Sequence, residues 1–286
     1  MKVYLFNVLV DGFNIANYGF NWKNRLLFTD SRRPDQNIAN AYVKVPYGIR
    51  ENFDKQNENW GEALRIVTLF SSCYQLVTDR HMPHIAENSG GGFEIEENDI
   101  SIDKINSWTV ADFQSKRPKV PINDTMDSLH LTTPFFDKVM NILENQGGKH
   151  RLDVALIMYY KSASSSAIFD VSNFINLITA LEALYSDGTM ELRHKISMRA
   201  ALFTELDISK RRQLFEDLKK MYDARSKLVH GSDISLSPIN EYTMYEIAVR
   251  KVVRKSLLNY IELASTGKSK KQIIDYIDDI ALGSAL

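Results

Sequence analysis

The feature that most constrains this fold is a succession of helical segments, each with its own start and stop signals, from about residue 130 onward. In the segment 171–185, for example, one apolar stripe is formed by Phe174, Leu177, Ile178, Leu181 and Tyr185. A Thr-Pro pair at 133–134 is placed to start another segment, and Ser209 a third. Helices with one apolar stripe must bury it against each other, and no fixed repeat period indicates a solenoid. This half predicts a compact all-α bundle.

The first 119 residues have a different pattern, in which short strand-like runs alternate with turn-rich pieces. The strand-like runs are KVYLFNVLV (2–10), RLLFT (25–29), AYVKVPY (41–47) and FEIEENDISI (93–102). One stretch is clearly helical, with a stripe of Ala63, Ile66, Val67, Phe70, Cys73 and Tyr74. The proline-containing segment SKRPKVPINDT at 115–125 is the best candidate for a linker. We therefore expect an α+β protein: a mixed α/β N-terminal domain at 1–119, followed by an all-α domain at 130–286.

Composition limits the classes of function. The chain has 35 Lys and Arg against 36 Asp and Glu, so it is not a protein whose whole surface is basic, and any polyanion must meet a local patch. A single cysteine excludes an internal disulfide and is typical of a reducing compartment. No run approaches the roughly 18 apolar residues of a membrane span. We expect a cytoplasmic protein that needs neither a membrane nor a cofactor.

The segment YDARSKLVHGSD at 222–233 places a charged residue in an apolar position. At about 100° per residue, an arc of roughly 140° contains Leu214, Phe215, Leu218, Met221, Tyr222, Leu228 and Val229. Arg225 lies near the middle of that arc. Because a guanidinium stays charged and is costly to bury alone, it needs a carboxylate partner or a polar cleft.

His230 follows five residues later, which in an unbroken helix points about 140° away from Arg225. Gly231 changes this expectation, because a helix that loosens at glycine lets the imidazole swing beside the long arginine side chain. The sequence then predicts that a fixed cation and a titratable imidazole meet at the rim of an apolar seam, with the Ser226 hydroxyl next to them.

These residues resemble a known family. RSKLVHG at 225–231 looks like the Arg-x4-His signature of HEPN domains, and LITALEALYSDGTMELRHKISMRAALF at 177–203 resembles the Apea-like HEPN subgroup, which is associated with abortive infection and antiviral defence. The similarity covers roughly residues 130–265. Many members have Asn, Asp or His directly after the arginine, where this chain has Ser226.

The resemblance implies a metal-independent endoribonuclease, acting in antiviral defence or as a toxin, with a composite site at a homodimer interface. Arg225 and His230 would be its catalytic residues, Ser226 an auxiliary residue and Glu182 a possible orienting residue. RNA supplies its own nucleophile, the 2′-hydroxyl, so the protein must only move protons and stabilise charge on the phosphate. The N-terminal domain would bind an activator or regulatory partner. The sequence contains no cluster with metal-ligand spacing, so no metal is expected.

Alternatives stay open for the function and for two groups of residues. A non-catalytic HEPN module that binds RNA or nucleotides, or a helical interaction scaffold, would carry the same motif. Glu182 is expected to form a buried structural pair with Arg199 rather than to orient Arg225. A candidate RNA-binding strip consists of Lys227, Arg250, Lys251, Arg254 and Lys255, although such charge runs are as often a solvated helix face.

Overall fold

The computed structural model describes the backbone of residues 2–11, 20–22, 26–30, 38–46, 54–79, 84–85, 92–96, 122–163, 171–188, 190–230 and 239–283. It describes the surroundings of side chains for residues 61–79, 127–145, 149–163, 171–188, 190–230 and 241–283. Contacts divide the chain into two units, Met1–Phe136 and Asp137–Leu286. The predicted domain boundary between residues 119 and 130 stays a prediction.

Strand backbone occurs in the first unit only within segments whose side chains are not described. The strands are β1 (Lys2–Asp11), β2 (Phe20–Trp22), β3 (Leu26–Asp30), β4 (Ile38–Pro46), β5 (His84–Ile85) and β6 (Gly92–Glu96). All pairings are antiparallel, in the order β2-β3-β4-β1-β5, and β6 also pairs with β1.

The predicted α+β class is wrong for the fold that is described with its side chains. That part of the chain is 88% helical and contains no strand, so the described fold is all-helical and not a mixed α/β region followed by a bundle. The prediction rested on alternation of apolar residues in short runs. Alternation contributes to a fold only where the apolar face of the strands is packed, and the buried side chains described in the first unit all belong to helices.

The buried side chains lie on two long helices, α1 (Asp54–Thr78), which also contacts β1 and β4, and the part of α2 (Ile122–Gln146) up to Phe136. The six stripe residues predicted between residues 63 and 74 are all buried, which confirms the α1 stripe. The ring of Phe70 contacts Phe136 edge to face, with centroids 5.1 Å apart. Burial of this kind supplies most of the stability of a helix in a folded protein.

Helix α2 corrects the predicted start at Thr133-Pro134. The helix begins within the segment predicted as a linker and continues through Pro134, since loss of one N–H does not end a helix that is packed along its length. The hydroxyl groups of Thr132 and Thr133 donate to the carbonyls of Ser128 and Leu129, at 2.7 and 2.8 Å, in the turn before the proline.

The second unit is a bundle around one central helix. Its elements after α2 are a 3-10 turn (Gly147–His150), α3 (Leu152–Lys161), α4 (Val171–Tyr185), α5 (Leu192–Thr204), α6 (Ile208–Val229), α7 (Ile239–Ser265) and α8 (Lys270–Ala281). Helix α4 contacts α3, α5, α6 and α7. Its predicted apolar stripe is confirmed, because all five residues are buried. Helix α6 begins one residue before the predicted Ser209, with Asp207 as N-cap accepting from the backbone N–H groups of Ser209 and Lys210.

A buried arginine ties three parts of this bundle together. Arg199 on α5 is only 4% exposed, and its Nε and Nη2 donate to the two carboxylate oxygens of Asp278 on α8, at 2.9 and 2.7 Å. Nη2 also donates to Asp187, just after α4, and Nη1 donates to the carbonyl of Tyr185, each at 2.8 Å. We call Arg199, Asp187, Asp278 and the Tyr185 carbonyl the Arg199 cluster. Because every guanidinium nitrogen has a partner, the cost of burying the cation is offset.

Replacement of Arg199 by leucine should destabilise the protein strongly. The variant removes every bond that Arg199 makes and leaves Asp187 with Lys195 as its one ion-pair partner among the described residues, so we expect the free energy of unfolding to fall by about 3 kcal/mol. Urea unfolding followed by circular dichroism measures this. The matched control is Lys138→Gln, which removes an exposed ion pair with Glu262 and should change the stability by less than about 1 kcal/mol. Equal effects of the two variants would contradict the role given to the cluster.

The same cluster predicts a specific loss of stability in acid. The hydrogen bond from Arg199, aided by one from Lys195, lowers the pKa of Asp187 from 3.8 to about 2. A carboxylate with a lowered folded-state pKa stabilises the fold above its unfolded pKa and loses this effect as the pH falls. The stability difference between the wild type and Asp187→Asn should therefore be constant above about pH 5 and shrink between about pH 4 and 2. Urea titrations across this range test it; a constant difference would contradict it.

Candidate functional site

The motif helix α6 keeps helical geometry up to the predicted histidine. The backbone N–H of His230 donates to the carbonyl of Ser226 at 3.0 Å, as in the last turn of an α-helix. The apolar face predicted for α6 is buried at Leu218, Met221 and Leu228, but Val229 is 48% exposed and so was wrongly included. The motif thus lies on a regular helix whose final turn opens to solvent.

The central acidic residue of the site is Glu182, on the face of α4 towards α6. One carboxylate oxygen, Oε1, accepts a hydrogen bond from the hydroxyl of Tyr222 at 2.7 Å. The other, Oε2, accepts one from Nη2 of Arg225 at 3.3 Å. We call Glu182, Tyr222 and Arg225 the Glu182 site. Tyr222 and Arg225 are three residues apart on one helix, so their side chains lie on the same face and reach the same carboxylate.

This geometry corrects the predicted pairing of Glu182. Arg199 is bonded to Asp187 and Asp278 and not to Glu182. Glu182 instead contacts Arg225, which was the alternative left open by the sequence. Helical periodicity placed all three residues on inward faces but did not determine which cation meets which carboxylate.

Arg225 is poorly satisfied for a guanidinium in such a position. Its side chain is 22% exposed, and its contact with Glu182 is the one hydrogen bond that it makes within the described part of the chain. The Nε atom is buried, and no acceptor for it occurs among the described residues. An unpaired buried donor costs roughly 1–3 kcal/mol, so this arginine is kept at the expense of stability. Such a residue is a candidate for binding an anion.

His230 does not meet Arg225 within one chain. The helix is regular between them, so their side chains start about 140° apart around the axis, and His230 is exposed. No hydrogen bond joins the two side chains in the described residues. The predicted loosening of the helix depends on Gly231, which lies outside the described residues.

The remaining predicted residues fall into two groups. Lys227, Lys251 and Lys255 are exposed, and Ser226 is half-buried beside Arg225. Arg254 is half-buried, and its surroundings include partners. Arg250 is committed to the bundle, since it pairs with Glu246 at 2.8 Å and donates to the hydroxyl of Ser162 at 3.1 Å. The predicted RNA-binding strip therefore offers its lysines to solvent and uses Arg250 in packing.

Tyr222 was counted only as part of the apolar stripe, and its polar contact was missed. Burial, together with its hydrogen bond to Glu182, raises the pKa of this hydroxyl from 10.0 to about 12. It is therefore protonated, and a hydrogen-bond donor, at any physiological pH. A tyrosine three residues before a stripe arginine was the available signal, because both side chains face the same neighbour.

Neither a metal site nor a membrane span occurs in the described residues. They contain no group of three or more His, Cys, Asp or Glu side chains arranged to hold an ion. None of the helices described combines the length and apolar character needed to cross a bilayer. Comparisons with family models, with curated proteins and with solved structures found no match. The resemblance to HEPN domains thus stays a prediction from the motif.

Replacement of Arg225 by methionine should stabilise the protein, in contrast to the loss of Arg199. Methionine fits the apolar arc, removes the unpaired Nε–H, and leaves Glu182 bonded to Tyr222, so we expect the free energy of unfolding to rise by about 1 kcal/mol. Urea unfolding measures the change. Arg193→Met is the matched control, since Arg193 on α5 is about half-exposed and pairs with Asp223 on α6, the helix that carries Arg225; its effect should be below about 1 kcal/mol. Destabilisation by Arg225→Met of more than 1 kcal/mol would show that the arginine is structural.

Proposed function

We propose that this protein is a metal-independent endoribonuclease of HEPN type, acting on cytoplasmic RNA in antiviral defence or as a toxin, with an active site completed by two copies of the chain. The observation that carries the proposal is the contact of Glu182 with Arg225. It joins two of the three helices on which the sequence resemblance rests, and it leaves most guanidinium donors unused among the described residues. A structural arginine in this bundle, Arg199, has all its nitrogens bonded.

The side chains suit cleavage of a phosphodiester next to a ribose 2′-hydroxyl. His230 would take the proton from the 2′-oxygen, which attacks phosphorus, and a protonated imidazole would return a proton to the departing 5′-oxygen. Arg225 would hold two phosphate oxygens and stabilise the charge that develops on them. The products are a 2′,3′-cyclic phosphate and a free 5′-hydroxyl. Ser226 would assist as a hydrogen-bonding group beside Arg225.

A second copy of the chain would bring together the two catalytic residues that lie apart within one chain. One chain directs Arg225 towards α4 and leaves His230 exposed on the last turn of α6. In a two-fold dimer the same surface of both copies meets, so exposed residues near the axis can approach those of the other copy. The exposed Val229 beside His230 would supply apolar contact area there.

RNA binding outside the reacting phosphate would depend on the exposed lysines. Lys227, Lys251 and Lys255 are free to neutralise phosphates, whereas Arg250 is held by Glu246 and Ser162. The near-neutral net charge implies that such binding is weak and sensitive to salt. We propose that the N-terminal region receives an activator or regulatory partner.

A second function is favoured by the separation of Arg225 and His230. If no dimer brings them together, the half-satisfied Arg225 would serve a non-catalytic module that binds RNA or nucleotides. An interaction scaffold is the remaining alternative, and it would neither cut nor bind RNA.

Cleavage of RNA by the purified protein should require both motif residues and no metal. We expect Arg225→Gln and His230→Asn each to reduce the cleavage rate about 100-fold or more, with no change on adding EDTA. Gel analysis of a 5′-labelled RNA, with a test for cyclic phosphate ends, measures this. The controls are Arg193→Gln and His194→Gln, which alter an arginine and a histidine on the neighbouring helix α5 and should keep full activity.

Light scattering on the same samples tests whether the active site requires two copies of the chain. An active dimer supports the proposal, whereas activity confined to a strict monomer contradicts it. RNA binding without cleavage at any protein concentration would favour the non-catalytic module. Absence of both RNA binding and cleavage would favour the interaction scaffold.

A further inference from the structure

Tyr222 and Arg225 both donate to the Glu182 carboxylate, but the two hydrogen bonds differ in length. The hydroxyl of Tyr222 lies 2.7 Å from Oε1, the distance of a strong hydrogen bond to an ionised acceptor. Nη2 of Arg225 lies 3.3 Å from Oε2, beyond the usual range for such bonds. Arginine and carboxylate side chains frequently form two parallel bonds at shorter distances. The tyrosine, therefore, and not the arginine, fixes the orientation of this carboxylate.

The shorter bond from Tyr222 limits how Arg225 binds Glu182. With Oε1 held by Tyr222, the carboxylate is oriented so that only Oε2 lies within hydrogen-bond distance of Arg225, and the two side chains form one bond and not a two-bond pair. The donors Nε and Nη1 then stay without partners in the described residues. If the hydroxyl were removed, the carboxylate could turn, accept from two guanidinium nitrogens, and occupy the donors that a phosphate needs.

We infer that Tyr222 is a positioning residue of the proposed ribonuclease site, which holds Glu182 so that it orients Arg225 without capturing it. The inference rests on the proposed function. Tyr222 contacts neither RNA nor the reacting atoms; it acts through Glu182 on the guanidinium. Because its hydroxyl keeps its proton far above neutral pH, this hold is present under all cellular conditions.

The change that tests this is Tyr222→Phe, which removes the hydroxyl and keeps the ring. We expect kcat for RNA cleavage to fall about tenfold, the size of effect of one hydrogen bond to a charged group, with KM changed less than about twofold. The control is Tyr245→Phe, which removes another tyrosine hydroxyl bonded to a glutamate, Glu241 on α7, and should leave both constants unchanged.

A double variant separates positioning from a structural role. In Tyr222→Phe/Glu182→Gln the amide carries no charge and cannot capture the guanidinium as an ion pair, so kcat should differ less than about twofold from that of Glu182→Gln alone. If Tyr222 only supported packing, its removal would cost the same factor in both backgrounds. An unchanged kcat in Tyr222→Phe, or the same factor in both backgrounds, overturns the inference.

A measurement that does not depend on cleavage keeps the inference distinct from the proposed function. The Nε–H signal of Arg225 in a ¹⁵N spectrum is identified by its loss in Arg225→Lys. Rotation about the adjacent Cζ–Nε bond should slow several-fold in Tyr222→Phe, because two bonds to Glu182 restrain the guanidinium. Should the wild type fail to cleave RNA, the proposed function falls, and this signal alone decides the control of Tyr222 over Arg225. Slower rotation supports that control; unchanged rotation overturns it.

Discussion

The bundle depends on one constraint, that a guanidinium keeps its charge and must be hydrogen-bonded wherever it is buried. Arg199 meets this constraint fully, with carboxylates of Asp187 and Asp278 and the carbonyl of Tyr185 around it. These acceptors come from the end of α4 and from α8, so the position of one cation fixes α5 relative to both helices. The apolar stripe of α4 is thereby held at the centre of the bundle, with α6 packed against one side of it.

Arg225 meets the same constraint only in part, and this difference is why it is a functional candidate. Both arginines interrupt apolar stripes, yet Arg225 has one long bond to Glu182 and a buried Nε without an acceptor among the described residues. Natural proteins retain such unfavourable arrangements mainly where a ligand or substrate uses them. A phosphate would supply the missing acceptors in a bidentate geometry that a lysine could not match.

The sequence predicted which helix faces are buried better than it predicted which charged side chains pair. Periodicity gave the buried stripes of α1 and α4 correctly, because burial of a face depends on residues three and four apart. It assigned Glu182 to Arg199, since the true partner Asp278 lies 79 residues further along the chain and only the fold brings it near. Pro134 inside α2 and Asp207 ahead of Ser209 show that packing and competing caps decide where helices begin. Alternating runs in the first 119 residues suggested a mixed region, whereas the part of the chain described with its side chains is helical.

The proposed site depends on where helix α6 places its two motif residues, Arg225 and His230. A regular last turn keeps His230 about 140° from Arg225, so a single chain does not bring both side chains to one phosphate. Two copies related by a two-fold axis could do so only if Arg225 extends away from α4, because its partner Glu182 is on α4 and is half-buried. A two-bond ion pair would prevent that extension, and a missing carboxylate would leave the long side chain without direction. The single long bond to Glu182, maintained by Tyr222, lies between these extremes: it directs the guanidinium and still allows it to leave for a phosphate.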